Sequence, residues 1–543
     1  MLLKVFLILF VFVVSSDEMV ERFLQFAASD HPWRNRVVFL FLWITGCGVA
    51  MLLAFLRPMW LRVVLALPLS IAAMFSVIYR GTTDTVLNYS EFFAMWSSRG
   101  DWMSAVANYG QHALPGLGVG ALLFVAIVLP GFAWRDSVLA RAGLVLAYFA
   151  PLAAVAAMID LKGGAAALGV PAPTKVLGMF SHVLYSEITN DFDRQRQSLD
   201  ARPKPSGARP HVVLIVDESV RGDYLSINGQ TADTTPFLRQ QQDKLFNFGI
   251  ASSGFDCSHY SNVVLRFGLP AGSMDKAVRT YPSIWAYAKN AGYRTSFVDA
   301  QRRHGQLTNF MTINETKLID NFVQFSRVDA VERADDFVRK DEAAALEVSR
   351  LLKEETPQFI YMNKEGAHAP YEGKYPESET KFRPTMKLGQ TLGEGVNRDE
   401  LKNSYRNAVS WSVDHFFSVL LKDAKLANTV ILYTSDHGQN LLEKGVVTHC
   451  GQSDPTHGVA VVPLFVVTEN LALAAGLREA VRINFGKASH FNIYKTVIGW
   501  MGYEAKELPF SYDASLTEPL TGERKFYTGN LLSGETKSHV FSP

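Results

Sequence analysis

Residues 211–229 read HVVLIVDESVRGDYLSING. A valine-rich apolar run ends abruptly in Asp217-Glu218-Ser219. A run this short, apolar throughout and bounded by polar residues, predicts a buried strand. Two carboxylates and a hydroxyl at the tip of such a strand have two readings. One is a helix cap, whose side-chain oxygens accept from the first free N–H groups of a following helix. The other is a metal.

Downstream of this stretch, further β-rich runs alternate with helical patterns. The strand candidates are HVVLIV (211–216), TSFVD (295–299), QFIYMN (358–363), TVILYT (429–434) and PLFVVT (463–468). Between them lie helix candidates such as DEAAALEVSRLLKEE (341–355) and the stretch 398–425. This alternation predicts an α/β domain with a mostly parallel sheet covered by helices on both faces. In such sheets, sites gather at the carboxyl ends of the strands.

Chemistry-bearing residues follow several of these runs. HVVLIV is followed by Asp217 and Glu218, and QFIYMN by KEGAHAP with His368. TVILYT is followed by SDHGQN with Asp436 and His437, and then by VVTHCG with His449. Carboxylates and imidazoles thus emerge repeatedly at one end of one sheet. Oxygen and nitrogen donors of this kind suit Zn²⁺, usually four-coordinate at about 2.0–2.2 Å. Each residue alone has a plainer reading. Glu218 and Asp436 would cap helices, and His449 would be a core or surface histidine with its hydrogen bonds met. Taken together, the strand-end pattern favours a metal.

The first 160 positions carry different information. Runs at 37–56, 61–79, 114–134 and 138–159 are long and apolar enough to cross a bilayer, which takes about 20 such residues. They have no polar face, which argues against buried helices of a soluble core. The start, MLLKVFLILFVFVVSS, fits either a cleaved signal segment or a short first span. Either way the chain re-emerges outside, after four spans or five. Arg57 and Arg62 flank one tight hairpin, and Arg135 and Arg141 the other, as cytoplasmic hairpins require. Arg34, Arg36, Arg80 and Arg99 fall on the outer side. Lys and Arg total 53 against 52 Asp and Glu, so no basic excess points to nucleic acid. The expected organisation is a transmembrane domain at 1–160, an interfacial segment and Pro/Arg-rich linker at 161–210, and a soluble domain at 211–543. Of three cysteines, Cys47 lies in a span. Cys257 and Cys450 either pair in an oxidising compartment or stay as two buried thiols.

VDESVRGDYLSINGQTADTTPFL, GAHAPYEGKYP, TSDHGQN, VVTHCG and the late SHFNIYKTVIGWMGY together resemble the bacterial phosphoethanolamine transferases of the alkaline phosphatase/sulfatase-like superfamily. The resemblance runs from the spans to about Tyr503. It implies Zn²⁺, one ion or two, held by Glu218, a nucleophilic hydroxyl, Asp436 and His437. The family pattern is a cysteine, three residues, then threonine. Counting from Cys257 in GFDCSHYSNVVLR puts Ser261 in the nucleophile's place. Ser258, one helical turn away, and Ser219, which reads as a helix cap, are its competitors. Two features depart from the family. Asp217 stands where a glycine is usual and brings a second carboxylate towards the metal. The second cysteine after the nucleophile is missing, with Phe267 near its place, so the local disulfide typical of many members is absent, and pairing of Cys257 with Cys450 stays an open alternative to two free thiols.

The resemblance further implies a two-step reaction at the periplasmic face of the bacterial inner membrane. Ser261 takes phosphoethanolamine from phosphatidylethanolamine and passes it to an envelope acceptor such as lipid A, core sugar or a glycan. His449 and His368 serve as acid, substrate contact or ligands of a second metal. In the outer loop 80–113, Glu91 is a candidate for the donor's ammonium, against a plainer reading of that loop as an interfacial helix. Phosphoglycerol transfer and phosphodiester hydrolysis are rival activities on the same fold. A formylglycine sulfatase is disfavoured, because CSHYS lacks the proline and arginine of that motif. A degenerate membrane scaffold ranks last, since the ligand types are present.

Overall fold

The computed structural model describes the chain except for residues 17–18, 29–31, 84–86, 98–109, 111–112, 130–136, 163–168, 190–192, 194, 205–208, 304–305, 327–333, 389, 391–394, 446–448, 451–454, 533–534 and 543. It divides into two compact units, one built on Met1–Asp191 and the other on Phe192–Leu531.

The first unit is helical. Among the described residues, three helices are long and apolar enough to cross a membrane: Trp33–Ala54, Met59–Thr82 and Val138–Ile159. Two shorter apolar helices, Leu2–Ser15 and Ala113–Val128, accompany them. The expected span at 114–134 is seen as a helix up to Val128, and its residues 130–134 lie outside the described residues. The opening segment packs into the bundle rather than standing apart: Ile8, Val11 and Phe12 are fully buried. Its Lys4 ammonium donates to Ala54 O at 2.7 Å and Leu129 O at 2.8 Å. Arg62 also donates to Leu129 O, at 3.2 Å. Carbonyls at the ends of two apolar helices, which lack partners within their own helices, are thereby satisfied by cations. Gly116 and Gly120 let one helix approach another closely. A Cβ at either position would stand 2.8 Å from Met74 O or 2.9 Å from Ser70 O, the small-residue contact common between membrane helices.

Glu91 does not present its carboxylate as an open ammonium site. It lies at the start of the helix Tyr89–Ser97, where Asn88 Oδ1 accepts from Glu91 N at 3.0 Å and Glu91 Oε2 accepts from Asn88 N at 3.4 Å. The same oxygen accepts from Tyr79 OH at 2.6 Å. Glu91 is therefore a reciprocal helix cap. Tyr89 and Phe92 of this helix turn inward, the latter edge-on to Phe75.

The second unit is built on a seven-stranded sheet of order β2-β7-β6-β1-β5-β3-β4. The strands are β1 (His211–Asp217), β2 (Leu245–Ser252), β3 (Arg294–Arg303), β4 (Asn321–Ser326), β5 (Gln358–Asn363), β6 (Thr429–Ser435) and β7 (Val461–Val467). From β6 to β4 all neighbours are parallel, while β7 runs antiparallel to both β6 and β2. All five expected runs are strands. The two unforeseen ones are the edges. β2 is interrupted by Asn247 and Gly249, where the register shifts, and bulges of this kind break the alternation that marks a strand.

β1 is central and buried on both faces. Val212, Leu214 and Val216 join one apolar core with Trp285, Tyr361 and Tyr494. Val213 and Ile215 join the other, with Tyr405, Phe417 and Met362. Each such side chain contributes roughly 1.5–3 kcal/mol on burial. The period of two carries Asp217 to the second face. There its carboxylate accepts from Lys364 Nζ and Tyr433 OH, both at 2.6 Å. Lys364 also reaches Asp341 at 3.4 Å and donates to the Ser412 carbonyl. That carbonyl lies in a π-helical turn, Ser410–His415, inside the expected helix at 398–425. Asp217 is therefore an internal ion-pair partner, and the expected crowding of a metal by its carboxylate does not occur.

The Pro/Arg-rich segment before His211, expected as a linker, contacts the second unit. Gln197 N donates to Thr280 O at 2.9 Å, Arg196 to Val278 O at 3.0 Å, and Lys204 N to Gly502 O at 3.0 Å. It holds on by backbone and guanidinium hydrogen bonds, and Ala201 joins the apolar core there with Leu199 packed against it.

Removing one member of a buried pair strands the other's charge, at a cost of about 3–5 kcal/mol. Lys364→Met is therefore expected to lower the unfolding midpoint of the full chain, followed by near-UV circular dichroism. The double variant D217N/K364M is expected to recover most of the loss. Equal loss in both would contradict the pairing.

Candidate metal centre

β6, β1 and β5 are adjacent and parallel, so their carboxyl ends open onto one place. Glu218 follows β1, and Asp436 and His437 follow β6. The pairing Asp217↔Ser435 sets the two segments side by side. Asp436 N donates to Asp217 O at 2.9 Å, and Ser219 N donates to Asp436 Oδ1 at 3.0 Å. Glu218 Oε1 stands 3.4 Å from His437 Nε2, and Asp436 Oδ2 stands 3.6 Å from the same nitrogen. All three residues are buried. Ser219 is not a helix cap. Its backbone is left-handed (φ 59°), and its hydroxyl donates to Glu218 Oε1 at 2.8 Å.

The segment after β5 closes over the backbone of Glu218. Ala367 N donates to Glu218 O at 3.0 Å. Gly366 is left-handed (φ 59°), and a Cβ there would stand 2.3 Å from Asp217 Oδ1 and 2.6 Å from Glu218 O. Only glycine fits this contact.

The four expected metal ligands do not all meet. Ser261 is fully buried, and its Oγ is occupied by Phe255, accepting from Phe255 N at 3.1 Å and donating to Phe255 O at 3.0 Å. It latches the loop that precedes its own helix, Ser258–Phe267. Ser258 opens that helix and faces the cluster. Its Oγ is 3.0 Å from His437 Nε2 and 3.4 Å from Glu218 Oε2. One helical turn separates the two hydroxyls, and only the first reaches the strand ends. His490 steadies this arrangement: its Nδ1 accepts from Gly254 N at 3.1 Å, and its Nε2 lies 2.9 Å from Ser435 O.

His449 joins the cluster. With Glu218 and His437 it offers ligand atoms that all lie within 4.8 Å of one another. Its ring packs on that of His437 with centroids 4.0 Å apart. His368 lies farther out, exposed, its ring 6.1 Å from that of His449 and its Nδ1 2.7 Å from Ala369 O. The sequence reading missed Gln301, just beyond the TSFVD run. Its amide donates to Glu218 Oε2 at 3.1 Å and to Lys364 O at 2.8 Å. A polar residue following a strand run at the same sheet end was the available signal.

Tautomers and charge both suit a cation. His437 Nδ1–H donates to Gly438 O at 2.6 Å, and His449 Nδ1–H to Gln439 Oε1 at 2.8 Å. His437 is held through Nδ1, and its Nε2 faces Glu218, Asp436 and Ser258, the arrangement metal-ligating histidines use. Burial and the adjoining Glu218 charge push the Asp436 carboxyl up to about 8. Burial opposes charge on His437, but the Asp436 and Glu218 carboxylates push it up to about 9. Burial and the nearby His437 charge hold His449 well below its usual range. Asp436 Oδ2 is buried with no hydrogen-bond partner among the described residues. A buried carboxylate oxygen is costly unless something positive meets it. The donor set of carboxylates, imidazole and hydroxyl is one zinc accepts.

Among known proteins, the chain resembles the Kdo(2)-lipid A phosphoethanolamine 7''-transferase of Escherichia coli K12, at 25% identity over 314 residues, or 55% of this chain and 52% of that protein. It resembles the phosphatidylethanolamine transferase Mcr-1 of E. coli at 24% identity over 364 residues, 62% of this chain and 64% of that protein. The chain spans about half the length of the first of these curated relatives. In fold it matches the integral membrane lipooligosaccharide phosphoethanolamine transferase A of Neisseria meningitidis, with a TM-score of 0.62 and 18% identity over 92% of this chain and 97% of that one. It also matches the periplasmic domain of E. coli EptC solved in complex with Zn, with a TM-score of 0.51 and 20% identity over 62% of this chain and 94% of that one. The sulfatase family model matches residues 210–503, more than half of the chain, and the protein belongs to that family.

Proposed function

We propose that the protein transfers phosphoethanolamine from phosphatidylethanolamine to an envelope acceptor such as lipid A or another glycolipid or glycan. Ser258 carries the group between the two steps. The observation that carries this reading is the Ser258 hydroxyl, 3.0 Å from His437 Nε2 and 3.4 Å from the Glu218 carboxylate, beside the unsatisfied Asp436 Oδ2. The named activities of the relatives support the choice of group transferred. The CSHYS sequence supports transfer over sulfate hydrolysis, because neither Cys257 nor Ser258 is followed by the proline and arginine that formylglycine formation uses.

Glu218, Asp436 and His437, with Ser258, are the residues that would hold a divalent cation such as zinc, and His449 adjoins them. A cation there makes a hydroxyl easier to ionise and offsets phosphoryl charge. Ser258 Oγ attacks the phosphorus of the donor and forms an O–P bond. The bond from phosphorus to the diacylglycerol oxygen breaks, and that oxygen takes up a proton. His368 at the rim is positioned to bind the phosphoryl group and handle that proton, while His449 adjoins the cation as a further donor. An acceptor oxygen then attacks the phosphoserine, the Ser258 O–P bond breaks, and Ser258 regains its proton. The apolar helices anchor the chain where its donor lies, which supports an inner-membrane location. The Cys257–Cys450 bond supports an oxidising compartment, the periplasm, for the second unit.

Intact mass of the full chain after incubation with phosphatidylethanolamine nanodiscs is expected to show a phosphoethanolamine adduct. Ser258→Ala is expected to abolish it and to lower transfer at least about 10³-fold. Ser261→Ala is expected to keep the adduct, with a smaller loss from the loosened Phe255 loop. An adduct lost only in Ser261→Ala would overturn the assignment. Release of free phosphoethanolamine with no acceptor dependence would identify a hydrolase instead.

Cation binding is expected to strengthen with pH. His437 must give up its proton to ligate, and the metal-free site holds that proton up to about pH 9. Asp436, pushed up to about 8, must give up its proton as well, so zinc affinity, measured by chelator competition, should rise by between about tenfold and about a hundredfold per pH unit between 6 and 8, for one to two protons displaced. A flat profile would contradict the ligand role of His437.

A further inference from the structure

Cys257 and Cys450 are joined by a disulfide that spans 193 residues of chain. Cys257 immediately precedes Ser258, and Cys450 immediately follows His449. Cys450 N also donates to Asp256 O at 3.2 Å, so the two segments meet through a sulfur bridge and a backbone bond. Cys450 itself is left-handed (φ 70°), a conformation that a residue other than glycine keeps only where its surroundings impose it.

The donors of the site differ in how they are held. Glu218, Asp436 and His437 sit at the ends of paired central strands. Ser258 is fixed by its helix, by the Ser261–Phe255 latch and by His490 on Gly254. His449 has no strand or helix of its own. Its side chain is held by the Gln439 contact and by ring packing on His437, and its backbone by the neighbouring Cys450.

We propose that Cys257 and Cys450 are positioning residues: their disulfide holds His449 against Glu218 and His437, so that this donor joins the site only in the oxidised protein. The inference rests on the metal-site reading above and deepens it. In forming the bridge, the two thiols give up two protons and two electrons to a disulfide-donating oxidant. A dithiol reductant returns both, and the Glu218–Asp436–His437 core with Ser258 stays in place while His449 is released.

Zinc affinity of the full chain in nanodiscs tests this, by chelator competition at one pH. Four proteins are compared: oxidised wild type, wild type reduced with dithiothreitol, C257S/C450S, and His449→Ala. The last three are expected to bind zinc about 10–100-fold more weakly than the first, the range found when a group orienting a metal ligand is lost. The triple variant H449A/C257S/C450S is expected to bind no more weakly than His449→Ala alone. A purely structural bridge would instead lower the unfolding midpoint of the zinc-free protein without changing zinc affinity, or would add its own loss to that of His449→Ala. Either result overturns the proposal, as does equal zinc affinity in wild type and His449→Ala. The readout does not depend on turnover, so a failed transfer assay and a failed positioning role are told apart.

Discussion

Two carboxylates, Glu218 and Asp436, share one buried imidazole, and one carboxylate oxygen has no donor among the described residues. That imbalance constrains the rest of the site. Buried negative charge of this kind is retained where a cation neutralises it. Without one, the carboxyl of Asp436 and the ring of His437 both hold protons well above their usual ranges, as the directions of their shifts express. The Ser258 hydroxyl stands at the open side of the same cluster, where an activated oxygen is of use.

The sheet supplies the precision. Parallel pairing of β1 with β6 fixes Glu218 against Asp436 and His437 with no loop between them that could flex. The period of two in β1 then sends consecutive carboxylates to different tasks. Asp217 turns into the core to meet Lys364, whose ammonium also lies 4.3 Å from the ring centre of Phe416. Glu218 turns to the site. Asp217 further accepts from Glu218 N at 2.9 Å, so the buried ion pair braces the residue beside it. The glycine at 366 allows the post-β5 segment to close on that brace.

Much of this was legible in the residues. Continuous apolar runs ending in Asp, Glu or His placed the central strands and their site ends, because a central parallel strand must be apolar on both faces. The edge strands β2 and β4 were not legible. β2 contains Asn and Gly at a bulge, and β4 is too short and polar in NFVQFS for alternation to stand out. The sequence count also did not show that Ser258, rather than Ser261, lies beside Glu218 and His437. A motif count from Cys257 assumes the family's cysteine position, but here that cysteine caps the helix itself and is tied to Cys450. The hydroxyl facing the cluster is therefore the one on the residue next to the cysteine. At Glu91 the residues allow two readings: an acidic residue among aromatics resembles an ammonium site, while the Asn88–Glu91 spacing equally spells a helix cap.

The central claim concerns one ion and its ligands. Anomalous diffraction at the zinc edge, from crystals of the full chain grown with zinc, tests it most directly. A peak is expected within about 2.0–2.2 Å of donor atoms of Glu218, Asp436 and His437, adjoining Ser258 Oγ. A peak bound through Ser261, or no peak at these strand ends in a zinc-loaded crystal, would contradict it.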